Sequence, residues 1–254
     1  MSMRDHLAAC HRKISRAHLL GAVCVTVFAC ACTNGSKAEL QSDYSAELAL
    51  KSDAQAEVSR KLPPGTYLVE VEEHEIDVRV TVTAAGTQAE LQDRVPRHGA
   101  IYKVVRLIAP GDLRVQVRSA DHPTKEGRVG LRIAHWARGT DEEPGELGLG
   151  YLAFSAAGEL AAVATPDAWT RAADNLHQAV THFETADDQA ARARAAYALS
   201  NVQYSARDEW AGAVRATEIA TDAYESEDDE TGVQNAKTLR GAAEIELAAG
   251  MKAE

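Results

Sequence analysis

A chain of 254 residues is long enough for one large or two ordinary domains, and its 45% apolar content, with only 5% of all residues aromatic, supplies alanine-rich cores. Its formal net charge of −11 argues against nucleic acid as a partner, because that requires a basic surface. All four cysteines, Cys10, Cys24, Cys30 and Cys32, lie within the first 32 residues, which excludes a disulfide framework or a cysteine-ligated zinc site from the rest of the chain.

Residues 1–18 carry Arg4, Arg12, Lys13 and Arg16, and Leu19–Ala31 is an uninterrupted apolar or small run. A basic segment followed by an apolar run of this length reads as a secretory leader and is too short for an ordinary transmembrane helix. Its end resembles the bacterial lipobox twice, at Val27–Cys30 and at Ala29–Cys32, so one of Cys30 and Cys32 is expected to become the lipid-bearing first residue of an exported protein. Two acyl signals suffice for firm membrane attachment. Residues 1–32 are thus read as a signal peptide and 33–43 as a polar tether, with an outer-membrane or periplasmic location.

From 44 to 136 the apolar residues alternate with period two. Thr66–Val71, Ile76–Thr83, Ile101–Ile108, Leu113–Val117 and Val129–Ile133 read as strands with one wet face, and Ala46–Leu50 and Ala56–Leu62 supply two more. Turn signals such as Pro63-Pro64-Gly65 and Pro110-Gly111-Asp112 separate them, and no crossover helix fits between them, so a β-sandwich is expected and a parallel α/β sheet is not. Asp77 reads as a carboxylate bonded to a nearby turn within a strand. Glu70, Glu72, Glu73 and Glu75 read as the solvated face and turn of a hairpin. Leu62–Val82 with Ala109–Ser119 resembles the jelly-roll-like pre-peptidase C-terminal (PPC) sandwich that precedes the repeats of bacterial proteins ending in a CHAT, caspase-like, domain. That resemblance implies a peptidase only through a His/Cys domain that these residues do not contain.

Residues 137–145 form a charged linker with Gly and Pro, and helix formers dominate 146–254. Helices are expected at Gly145–Val163, Asp167–Thr185, Asp188–Tyr204, Glu209–Glu225 and Asp229–Ala248, with Asp residues at their starts as N-caps or first-turn acids and Thr165-Pro166-Asp167 and Ala206-Arg207-Asp208 as tight turns. Two stretches echo each other 41 residues apart: Trp169, Ala172, Leu176, Ala179 and Phe183, then Trp210, Ala213, Thr217, Ala220 and Tyr224, each followed by a doubled aspartate. Tyr197 and Tyr204 sit on the inward stripe of the intervening helix. The pattern resembles the tetratricopeptide repeat, with armadillo or HEAT pairs as the alternative at this period, and implies that these residues form a repeat core. The fold class expected is therefore multidomain, all-β then all-α.

From Arg138 onward 9 Lys and Arg face 22 Asp and Glu, a net of −13, so the acidity belongs to the helices and admits a basic peptide or protein as partner. No nucleophile elbow, zincin, P-loop or dinucleotide motif occurs, and no cofactor, metal or catalytic residue is expected. The reading is a non-enzymatic envelope lipoprotein that scaffolds protein–protein interaction. The alternatives are a sensor or adaptor part of a CHAT-type peptidase system and a glycan- or peptidoglycan-binding envelope module.

Overall fold

The computed structural model describes residues 40–50, 55–74, 76–92, 95, 99–120, 126–136, 145–206 and 208–250; the leader with Cys30 and Cys32, most of the tether, residues 137–144 of the linker and Glu75 lie outside the described residues. Eight strands precede five helices: β1 Leu40–Leu50, β2 Gln55–Leu62, β3 Gly65–Glu73, β4 Val78–Ala84, β5 Thr87–Leu91, β6 Ala100–Leu107, β7 Gly111–Ser119 and β8 Gly127–Trp136; then α1 Glu146–Val163, α2 Pro166–Thr185, α3 Gln189–Ala206, α4 Trp210–Ser226 and α5 Glu230–Gly250. This is the expected order of a β-sandwich followed by helices.

The strands pair antiparallel in two four-stranded sheets, sheet A in the order β1-β8-β3-β6 and sheet B in the order β2-β7-β4-β5. Period-two alternation sends Val69, Val71, Leu131 and Ile133 from sheet A, and Val80, Val82, Val115 and Val117 from sheet B, into one shared core. Three details differ from the sequence reading. β1 begins at Leu40, inside the stretch read as a tether. β5 lies in a segment where no strand was singled out, because its five residues are mostly polar or small. β3 and β4 lie in different sheets and form no hairpin, and Asp77 falls between them rather than within a strand.

The β4–β5 hairpin turns on Ala85 and Gly86, both at positive φ (49° and 79°), as a type I′ turn demands. Alanine is strained there. Ala85→Asn should therefore stabilise the protein by about 0.5–1 kcal/mol, seen as a raised Tm.

Each helix packs on the next in the sequence, α1 on α2 through to α4 on α5. The doubled aspartates divide the labour of the turns. Asp187 and Asp228 adopt the left-handed conformation, at φ 56° and 57°, while the amides of Asp188 and Asp229 bond back to the carbonyls of Phe183 and Tyr224, both at 3.0 Å. The Asp188 and Asp229 carboxylates then accept the amides of Ala191 and Gly232, at 3.0 and 2.9 Å, and so cap α3 and α5. Asp229→Ala should cost about 1 kcal/mol in thermal or urea unfolding. At the other two starts Asp167 lies in the first turn of α2, whose cap is Thr165 with its Oγ1 accepting the amide of Ala168, and Asp208 is a left-handed turn residue before α4.

Candidate functional site

The β3–β6 half of sheet A's outer face is not wet, contrary to the alternation reading, while the β1–β8 half is, with Glu47 and Arg128 exposed. In the covered half, Leu68, Ala100 and Tyr102 belong to the same apolar cluster as Tyr151, Phe154, Trp169 and Phe183 of the helices. α1 is apolar on nearly every side because one side meets β5 and β6 and the other meets α2. Tyr102 lies edge-on to Phe154 at 4.8 Å between ring centroids and tilted to Tyr151 at 5.2 Å, and Tyr151 lies edge-on to Phe183 at 5.0 Å. The unpaired edge of β6 is also covered: Ser155 Oγ of α1 accepts the Val104 amide at 3.4 Å, and Lys103 pairs with Glu159.

Within this seam Glu70 is buried, not solvated. Its Oε2 accepts Nε and Nη2 of Arg132 at 2.7 and 2.6 Å, and its Oε1 accepts Nη1 of Arg194 at 2.7 Å and the Tyr102 hydroxyl at 3.1 Å. Arg194 Nη1 also donates to the Tyr102 hydroxyl at 2.8 Å, and its Nη2 donates to Glu72 at 2.8 Å. A single guanidinium from α3 thus ties three side chains on β3 and β6. Glu73 is buried as well, its Oε1 accepting the Val78 amide at 2.7 Å where the chain crosses between sheets. Both carboxylates correct the solvated-hairpin reading: Arg132, Arg194 and Tyr102 supply the donors that sustain Glu70 in the seam, and the Val78 amide bonds Glu73.

Burial, then the charge of Glu70, push the Tyr102 hydroxyl well above its ordinary pKa, with Arg194 partly offsetting them. Tyr151 and Tyr224 are raised too, chiefly by burial. A folded-state pKa above the unfolded value of 10.0 gives stability that is present below pH 10 and is lost as pH rises further. In an alkaline titration followed by phenolate absorbance, these three tyrosines should ionise only as the protein unfolds.

Of the expected repeat-core residues, Trp169, Ala172, Leu176, Ala179, Phe183, Tyr197, Ala213, Thr217, Ala220 and Tyr224 are buried, while Tyr204 and Trp210 are half-exposed. The two tryptophans differ because α2 has an additional turn at its start, whereas Trp210 is the first residue of α4. Trp210 lies instead near Gly250 at the end of α5.

α1 packs on β6 and α3 reaches β3 and β6 through Arg194, so an outside partner needs another surface. One lies beside the seam: an open cleft of about 670 Å³ between β5 (Gln88, Ala89, Glu90), the second half of α1 (Leu160, Val163) and α2 (Arg171, Asn175). Among the described residues no group of three metal-ligating side chains occurs.

Fold and seam together define a two-sheet β-sandwich bonded through one face to a five-helix array. A scan against protein-family models finds no match, and a search of curated proteins finds none. Among solved structures, the pre-peptidase C-terminal domain of a Bacillus anthracis collagenase is similar at 13% identity over 35% of this chain and 87% of its own, with a TM-score of 0.29. The CBM36-1 domain of a multidomain xylanase from the hindgut metagenome of Trinervitermes trinervoides is similar at 10% identity over 39% and 92%, with a TM-score of 0.24. A de novo designed double-stranded β-helix is similar at 18% identity over 36% and 96%, with a TM-score of 0.23. Likenesses of this size carry no argument about activity.

Proposed function

We propose that this chain is a non-enzymatic lipoprotein of the cell envelope, anchored through Cys30 or Cys32, whose tetratricopeptide-like repeats scaffold a protein partner. The observation that carries this reading is the repeated unit itself. α2 and α4 share an apolar face at a 41-residue offset, and each ends in the same pair of aspartates, the first left-handed and the second capping the next helix. Stacked helical units of this kind serve as extended binding surfaces rather than as catalytic centres. With α1 and α3 engaged by β3 and β6, the cleft beside β5 becomes the contact surface.

Two measurements test this. Palmitate labelling of the whole chain should be lost in the Cys30→Ala or the Cys32→Ala variant, and no labelling of the parent counts against the anchor. A photo-cross-linker placed at Val163 in cells should give a discrete adduct that one placed at Ser59, on the outer face of sheet B, does not. Equal adducts from both positions, or none from either, would reject the cleft as the contact surface.

A further inference from the structure

Three features of the cleft restrict what fits it. The first is backbone. β5 is an edge strand, paired only with β4. In a two-residue hairpin the flanking pair, here Ala84 and Thr87, exchanges both ladder bonds, and the period of two gives Ala89 and Leu91 to β4 as well. The amides and carbonyls of Gln88, Glu90 and Gln92 therefore point away from the sheet. The amide of Gln92 donates to the carbonyl of Gly158 in α1 at 3.3 Å, which shows that this edge is directed at the helices. Gln88 and Glu90 line the cleft, and the pairing register turns their amides and carbonyls away from β4.

The second feature is apolar surface: Leu160 and Ala89 are half-buried, and Val163 is 62% exposed. The third is charge. Three ionisable side chains line the cleft, and two are already satisfied, Glu90 by Arg79 and Arg118, and Glu159 by Lys103. Arg171 makes no ion pair among the described residues; Asp167 and Asp174, one turn away on either side of it in α2, do not bridge to it. A cationic ligand would have to displace existing partners. An anionic one completes an unused guanidinium.

We propose that β5 accepts an extended acidic peptide as an additional strand, one apolar side chain of which rests on Leu160 and Val163 while a carboxylate two residues away pairs with Arg171. Side chains two apart share one face of a strand, so both reach the helical wall. A volume of about 670 Å³ lies in the range of ligand sites, about 300–1,000 Å³. The proposal rests on the reading of the cleft as the contact surface and adds the chemistry of its occupant.

The test uses the full chain and two labelled, end-blocked peptides, TVTETVT and TVTKTVT, in fluorescence anisotropy. The glutamate peptide should bind roughly tenfold more tightly than the lysine peptide. Arg171→Glu should reverse that order. Gln88→Pro removes an amide that faces the cleft and spares the bonds to β4, so it should abolish binding of both peptides with an unchanged circular dichroism spectrum and Tm. Binding of neither peptide, preference for lysine by the parent, or indifference to Arg171→Glu or Gln88→Pro would overturn the proposal. If the Val163 cross-link persists while the peptides fail, strand addition is wrong and the contact surface stands.

Discussion

Glu70→Ala should destabilise the protein by about 1–3 kcal/mol in urea unfolding, below the range for a fully buried ion pair because the Arg132 and Arg194 side chains it leaves are 35% and 31% exposed. The carboxylate is 6% exposed and takes bonds from Arg132, Arg194 and Tyr102. Without it Arg132 loses the carboxylate it bonds in the seam, Arg194 keeps Glu72, and the Tyr102 hydroxyl keeps only Arg194. The desolvation cost of the remaining groups stays, and that cost, more than the lost attraction, sets the magnitude. Glu70→Gln keeps the shape and one acceptor and should lose less. Arg194→Lys should not behave conservatively, because one ammonium cannot reach Glu70, Tyr102 and Glu72 with the spread of a planar fork.

The form of the unfolding curve is a second readout. Sandwich and array meet at this seam, so weakening it should split a single transition into two, one for each. A Glu70/Arg194 double-mutant cycle should give a coupling energy of about 0.5–3 kcal/mol. Additive effects would show that the aromatic contacts alone hold the two parts together.

Strand and helix placement was legible because it follows from local periodicity: β3, β4, β6, β7 and β8 all carry alternating apolar residues, and the ends of α1 to α4 fall within a few residues of the caps and turns read from sequence. The seam was not legible. Alternation gives the inward face of a sheet, but whether its other face meets water or a helix is a tertiary matter, and Glu70-Val71-Glu72 reads the same in both cases. Signals did exist. Arg192 and Arg194 interrupt an alanine-rich helix, and α1 is apolar all round, which requires burial on two sides. For the cleft, the sequence carried the acidic total but not the pairing. Only contacts show that Glu90 and Glu159 are satisfied while Arg171 has no partner among the described residues.

Phe183→Ala should cost about 3–5 kcal/mol, since the ring is fully buried and its edge-on contact with Tyr151 leads on to Tyr102 and the sandwich. The ring also occupies the space where Gly150 has no side chain. A Cβ added at Gly150 would lie 2.5 Å from Phe183 Cε1, and one at Gly232 would lie 2.5 Å from Tyr224 Cδ1, the residue at the corresponding position of the echo. Helix propensity favours alanine over glycine by about 1 kcal/mol, so its sign competes with the clash. At Gly241, also in α5, nothing lies within 4 Å of the added atom. Gly241→Ala should therefore raise Tm, whereas Gly150→Ala and Gly232→Ala should lower it by overpacking worth about 1–3 kcal/mol. Combining Gly150→Ala with Phe183→Leu should recover part of the loss, because the smaller side chain vacates the contested space. If Gly150→Ala stabilised the protein as Gly241→Ala does, the close approach of α1 to Phe183 would be refuted, and with it the aromatic chain that joins the array to the sandwich.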